Sequence, residues 1–304
     1  MSYTQTSRLT ARTHEEAEPR STLASPAGNN DQHFNELKPS RLYGLHYHLT
    51  IFFLEDICSV CYAYCEVLQA AKLSKIKYDI KDDVFLAREH MFEATDTCFE
   101  AIERAINWLR GSELDNIQVA WTDQRYDIDN NLGKYLDFVD RKRDSNNQRQ
   151  LTPFDEQMLK LAKLVIPIIK LHGLFIDKLS ERGMNRKPLP KFTTMCTDQL
   201  NTIDELPEKV NDIIWTLLGV LSDSDSTEEE STYRVLSQTM QSLDNQFKDP
   251  FLLILIYFLP IVPDTDGFPT RKYFNDWFVT WKTSFTIAIS NFISAVPAFR
   301  HYPS

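Results

Sequence analysis

From residue 42 onward the apolar residues return every three or four positions, in runs separated by polar, Pro-bearing or Gly-bearing joints, which is the period of helices with one buried side. The best-bounded run is 151–182, LTPFDEQMLKLAKLVIPIIKLHGLFIDKLSER, where Met158, Leu161, Leu164, Val165, Ile168, Leu171, Phe175 and Leu179 share one side. Thr152 and Pro153 supply a cap and a first-turn proline, Asp155 and Glu156 suit the positive end of the helix dipole, and Lys178, Arg182 and Gly183 suit the other end. At 1.5 Å per residue this helix is about 45 Å long, the spine of an elongated bundle. Pro167 bends it without ending it, because the apolar spacing continues beyond.

Other helices follow from the same period. A first, 42–71, places Leu49, Phe52, Phe53, Ile57, Val60, Cys61, Tyr64 and Leu68 on its inner face. A second, 82–110, does so with Phe85, Met91, Phe92, Cys98, Phe99, Ile102, Ile106 and Leu109, and Gly111 stops it. A weaker third, 115–143, keeps Trp121, Ile128, Leu132, Tyr135, Leu136 and Val139 in step, and a basic linker, 141–150, leads to the spine. Beyond the spine, 197–221 is helical with a kink or restart at Pro207, 231–247 and 251–259 form a helix interrupted at Asp249 and Pro250, and 270–296 has a heavily aromatic face that includes Phe274, Trp277, Trp281 and Phe285. The expected fold is all-α: an elongated antiparallel helical bundle of seven long helices over 41–300, or two sub-bundles, 41–150 and 151–300, sharing the spine. Residues 1–40 are polar, with isolated apolar residues, and read as a disordered tail.

Composition agrees with this reading. Of the 304 residues 42% are hydrophobic, enough for one large core, and only 8 are Gly, too few for the turns of an all-β chain. A net charge of −10 disfavours a nucleic-acid surface. The most apolar run, 251–259, is nine residues long and falls well short of a transmembrane segment. Five cysteines and a start without a hydrophobic signal core point to a soluble protein of a reducing compartment.

Candidate chemistry is sparse. Cys58, Cys61 and Cys65 form C-x-x-C-x-x-x-C on one side of a helix, but without a fourth ligand nearby burial beside Val60, Tyr64 and Leu68 is the stronger reading. His46 and His48 diverge on a helix, and His172 reads as a core or boundary histidine. No H-E-x-x-H or Glu-x-x-His pair is present, and Trp215 and Gly219 stand where the second metal motif of a terpene synthase needs a hydroxyl and a Glu. No cofactor, metal site or catalytic residue is expected. Two surface features remain. Lys178, Arg182, Arg186, Lys187 and Lys191 surround a proline-restrained loop suited to a phosphorylated or acidic protein partner, with an anionic membrane as the less favoured alternative. Ser222, Ser224, Ser226 and Thr227 lie in SDSDSTEEE, an acidic context for phosphorylation.

At 170–200, KLHGLFIDKLSERGMNRKPLPKFTTMCTDQL, followed by the helix ending LLGVLSD, the chain resembles uncharacterised fungal helical proteins. These in turn resemble the cyclin-D1-binding protein family, whose bundles are similar to those of vinculin and α-catenin. The likeness covers 138–223. It implies a non-enzymatic protein of cytoplasm and nucleus that binds regulators of the cell cycle or of transcription. The expectation is thus an adaptor with a phosphorylatable acidic loop. The alternative is an all-α enzyme or small-ligand carrier with an aromatic pocket around Trp277, Trp281 and Phe285.

Overall fold

The computed structural model describes residues 30–74, 81–146, 152–180, 183–185, 187, 189–222, 229–265 and 267–297. The fold is all-α. Its helices are α1 (Pro39–Tyr47), α2 (Leu54–Ser74), α3 (Lys81–Arg110), α4 (Glu113–Asn146), α5 (Pro153–Leu179), α6 (Thr197–Asp204), α7 (Leu206–Ser222), α8 (Glu229–Gln246), α9 (Lys248–Leu253) and α10 (Thr270–Ala295). Among the described residues there is no strand, only the bridge of Thr265 with Phe268. Seven of these helices run to 17 residues or more, as the apolar spacing predicts.

Helix α5 is the spine. It packs against α4, α7 and α10, and Met158, Leu161, Val165, Ile168, Phe175 and Leu179 of its expected stripe are all buried. Its start is written locally: the Thr152 hydroxyl accepts from Asp155 N at 3.1 Å while the Asp155 carboxylate accepts from Thr152 N. Lys142 donates to that carboxylate at 2.5 Å, and this bond, followed by those from Thr152, holds Asp155 below the usual carboxylate range. Pro167 sits inside the helix, whose buried flanks on both sides outweigh the lost hydrogen bond. After Ser180 the chain turns at Gly183, where a Cβ would stand 2.0 Å from the Lys178 carbonyl, so only glycine closes the turn.

The rings of the core are tied between helices by their polar tips. Trp121 Nε1 donates to Asp204 O at 3.0 Å, Tyr135 Oη to Ile214 O at 2.9 Å, and Trp281 Nε1 to Leu171 O at 2.8 Å. These bonds link α4 to α6, α4 to α7 and α10 to α5. Burial of the Tyr135 hydroxyl pushes its pKa up. Pro207 restarts the chain rather than kinking it: α6 ends at Asp204, α7 opens at Leu206, and the proline occupies a first-turn position that needs no N–H. Pro250 is placed likewise in the first turn of α9.

The packing divides elsewhere than at residue 150. Helix α4 continues to Asn146, through half of the expected basic linker, and packs on α5, α6 and α7, so it belongs with the C-terminal helices. Every residue of the main core lies at or beyond Leu114. What precedes it is an arm: α1, a π-helical turn (His48–Phe53) and α2 run on from one another and lie antiparallel against α3. Residues 30–40 depart from the tail reading. Asp31 and Lys38 are fully buried and Pro39 opens α1, because distant partners offset an entropy that local composition cannot.

Candidate functional site

The arm has two stripes where the sequence suggests one. On α3 the side facing α2 is Val84, Ala87, Met91, Ala94, Cys98, Ala101, Ala105 and Trp108, alternating steps of three and four. On α2 the matching side is Val60, Ala63, Val67 and Ala70. Alanine allows two helices to approach closely, and Ala63, Ala94, Ala101 and Ala105 are buried, Ala63 and Ala101 completely. One residue further along each helix, about 100° round, stand Ile57, Cys61, Tyr64 and Leu68 on α2 and Phe85, Phe92, Phe99 and Ile106 on α3, with Arg88, Thr95, Ile102 and Leu109 in the same sector. In an antiparallel pair, equal rotations in the chain direction bring both stripes to the same side of the hairpin. This side is exposed: Phe85, Phe92 and Phe99 keep 60%, 62% and 62% of their surface in water. The opposite side is mainly polar, with Glu66, His90, Glu93, Thr97, Glu100 and Arg104 around two isolated exposed apolar residues, Tyr62 and Leu86; His90 Nδ1 meets Glu66 at 2.7 Å.

The expectation that Phe85, Phe92, Phe99, Ile106, Ile57, Cys61, Tyr64 and Leu68 form the buried faces is therefore overturned. Alanines together with Val60, Val67, Met91 and Cys98 take that place. The cysteine reading falls with it: Cys58, Cys61 and Cys65 are exposed rather than core. Among the described residues no group of three or more His, Cys, Asp or Glu is placed to hold a metal ion. The signal in the sequence is an alanine repeat at 87, 94 and 101 two positions after a phenylalanine repeat at 85, 92 and 99.

At its root the arm is clasped to the bundle. Lys38 Nζ donates to Glu113 Oε1 at 2.6 Å and to Thr193 O at 2.9 Å, while the other Glu113 oxygen accepts from Thr193 N and Oγ1 at 2.8 and 2.5 Å. Lys38 and Glu113 are both buried, so this is an ion pair whose remaining valences are satisfied by the loop before α6. Asp31 accepts from Thr197 N at 2.9 Å and from the Thr197 hydroxyl, at the first turn of α6. Arg41 donates to Trp108 O, Leu109 O and Gly111 O, filling the open carbonyls at the end of α3. Burial lowers the Arg41 pKa, against which Glu113 and Glu36 act. Trp108 Nε1 returns a bond to Arg41 O at 2.9 Å, and its ring lies so close to Gly44 that any Cβ there would collide with it. His48 packs on the same indole at 5.2 Å; burial first, and Arg104 second, lower its pKa.

The described residues of the basic loop, Lys178, Lys187 and Lys191, have separate surroundings. Lys178 lies against the rings of Tyr273, Trp277 and Phe274 at 4.6, 5.0 and 5.4 Å and donates to the Tyr273 hydroxyl at 2.7 Å, so its charge is taken up by α10. Lys191 faces Glu36 at 3.4 Å and the Phe192 ring. Lys187 is exposed. Arg182 and Arg186 lie outside the described residues, as do Ser224, Ser226 and Thr227; Ser222 is exposed at the end of α7. The aromatic face of α10 is a filled core: Trp281 meets Phe175 at 4.6 Å, Phe285 at 5.0 Å and Phe247 at 5.2 Å, with Phe247 and Phe285 at 4.6 Å. Rings at these separations are in contact. Among the described residues no helix is long and apolar enough to cross a membrane.

Comparison with known proteins divides the chain where the packing does. Residues 4–110, which include the arm, match the family model described as Domain of unknown function (DUF8723). No curated protein and no solved structure matches the chain. Residues 112–294, which include the bundle core from Leu114 to Phe292 and leave out only its last member, Val296, match a second model over more than half of the chain, and the protein belongs to that family, Domain of unknown function (DUF8721).

Proposed function

We propose that this is a non-catalytic interaction protein: a helical bundle that carries a stiff two-helix arm and offers the arm's apolar side to another helical surface. The observation behind this reading is the row Phe85, Phe92, Phe99 and Ile106, which spans about 30 Å of α3 at 1.5 Å per residue and stays in water while alanines fill half of the inner face. A contiguous apolar strip of this extent on a protein surface ordinarily marks a binding site. The clasp at the root supports the same reading, since it fixes the direction in which the arm leaves the bundle. The finer expectation, a role with regulators of the cell cycle or of transcription in cytoplasm and nucleus, rests on the family resemblance of 138–223, and phosphorylation at 222–227 would regulate it through added negative charge.

Affinity purification of the full chain from native cells, with and without phosphatase, tests the reading when run beside Phe92→Glu/Phe99→Glu and the opposite-face control Tyr62→Glu. The expected result is a defined set of bound proteins, the chain itself included, that the control keeps and the double change loses. Identical sets from all three, or turnover of a small molecule abolished by a single carboxylate or histidine change, would refute it.

A further inference from the structure

We propose that the occupant of the arm's apolar side is a second copy of this chain, two arms lying antiparallel to form a four-helix bundle with the two C-terminal bodies at its opposite ends. The proposal rests on the reading above and names the partner.

The first argument is area. Phenylalanine-sized side chains bury about 150–250 Å² each. Three such rings with three-fifths of their surface in water, and the tyrosyl and aliphatic chains beside them, expose on the order of 800 Å², which is what each partner of a standard stable interface contributes. A hairpin whose inner face is half alanine has a thin core of its own; two of them face to face acquire a larger one.

The second argument is self-complementarity. A two-fold axis demands that each stripe read the same in both directions about one point. On α3 the series Phe85, Phe92, Phe99, Ile106 is symmetric about the gap between Thr95 and Asp96. On α2 the series Ile57, Cys61, Tyr64, Leu68 is symmetric about the gap between Tyr62 and Ala63. The pairs His90 with Glu66 and Arg104 with Asp56 fix how the two helices lie side by side, and they bring these two midpoints level with each other. An axis through that level sets Phe92 against the partner copy's Phe99, Phe85 against its Ile106, Ile57 against its Leu68 and Cys61 against its Tyr64, all at once.

The third argument is charge. The same register places Arg88 level with Glu103 of the second copy, twice per dimer, and both side chains are exposed and carry no ion pair of their own among the described residues. Asp96 meets its own copy only at the rim, where water and salt screen it. The neighbouring chain therefore needs no chemistry that this one lacks: apolar surface meets apolar surface, and the cation at 88 finds its anion at 103.

Sedimentation of the full-length chain across a range of concentrations tests the proposal. Wild type should be a dimer and Phe92→Glu/Phe99→Glu a monomer with unchanged helical circular dichroism; because both rings are exposed, these changes leave folding intact. Tyr62→Glu, on the other side, should remain a dimer. Arg88→Glu or Glu103→Arg alone should weaken the dimer about tenfold, from two repulsive contacts, and the two together should restore it. A chain that stays monomeric at about 100 µM, far above the range of a stable dimer, overturns the proposal, as does a dimer indifferent to the changes at 92 and 99. Failure of the double charge exchange to rescue overturns the register. A monomer that still loses its captured proteins on Phe92→Glu/Phe99→Glu would replace the second copy by a foreign helix and leave the interaction reading standing; a monomer that loses nothing would remove both.

Discussion

His172 lies on α5 with no surface in water, its ring edge-on to Phe247 at 5.8 Å, and neither ring nitrogen meets a hydrogen-bond partner. The charge that acts on it is the guanidinium of Arg125, which passes beside Gly173 and is held by Asp177 at 2.9 Å and Asp129 at 2.5 Å. Burial, and secondarily Arg125, lowers the imidazole pKa from 6.5 to about 3. The unfolded chain takes up the proton near 6.5 and the folded chain resists it until about 3, so the contribution of the neutral ring is fully present above 6.5 and is lost as pH falls toward 3. The slope between these limits is about 1.4 kcal/mol per pH unit, hence about 2 kcal/mol lost at pH 5 relative to neutral. His172→Leu removes both the titration and an unmet polar group of comparable volume, which by itself costs about 1–3 kcal/mol. Urea unfolding of the two proteins, followed by circular dichroism at pH 7.5 and pH 5, separates this from every other titrating group, His48 included, because those are common to both chains. The variant should be at least as stable at pH 7.5 and should lack about 2 kcal/mol of the acid loss. Equal losses in both, or a variant clearly weaker at pH 7.5, would show that the ring is hydrogen-bonded and that the reasoning fails.

Two further outcomes bear on the root and the core. Lys38→Met should cost about 3–5 kcal/mol in urea unfolding by leaving Glu113 buried without its cation, and pairing it with Glu113→Leu should cost less than the sum of the single changes; additive losses would mean that the two do not interact. Phe175→Ala, in the ring cluster, should cost about 3–5 kcal/mol, whereas Tyr62→Ala on the polar side of the arm should stay within about 0.5 kcal/mol; similar losses would contradict the burial described.

How much of this was legible depends on where the information lies in the chain. Helix α5 could be read whole, since its cap, its first-turn proline and its apolar stripe are all local and each demands the same conformation. Helix α3 was legible as a helix but not in its orientation. Period alone cannot choose between two apolar rows one residue apart, and greater hydrophobicity points to Phe92 and Phe99 while close helix packing selects Ala94 and Ala101. The clasp was not legible: Lys38, Glu113 and Thr193 are 75 and 155 residues apart by their shared bonds, and such pairings leave no periodic trace. For the same reason the charges of the basic loop read as one patch, although Lys178 is taken by α10 and Lys191 by Glu36.

The Lys38–Glu113 pair also bears on what counts as a unit. The two family regions meet at residue 111, yet the pair, together with Asp31 on Thr197, crosses that junction from one region into the other. A fragment beginning at residue 112 would carry an anion with no counter-ion and an α6 stripped of its outer cap, whereas one ending at residue 110 would strand a lysine. The boundary between the family regions is therefore crossed by buried contacts, and each region leaves buried partners unmet without the other.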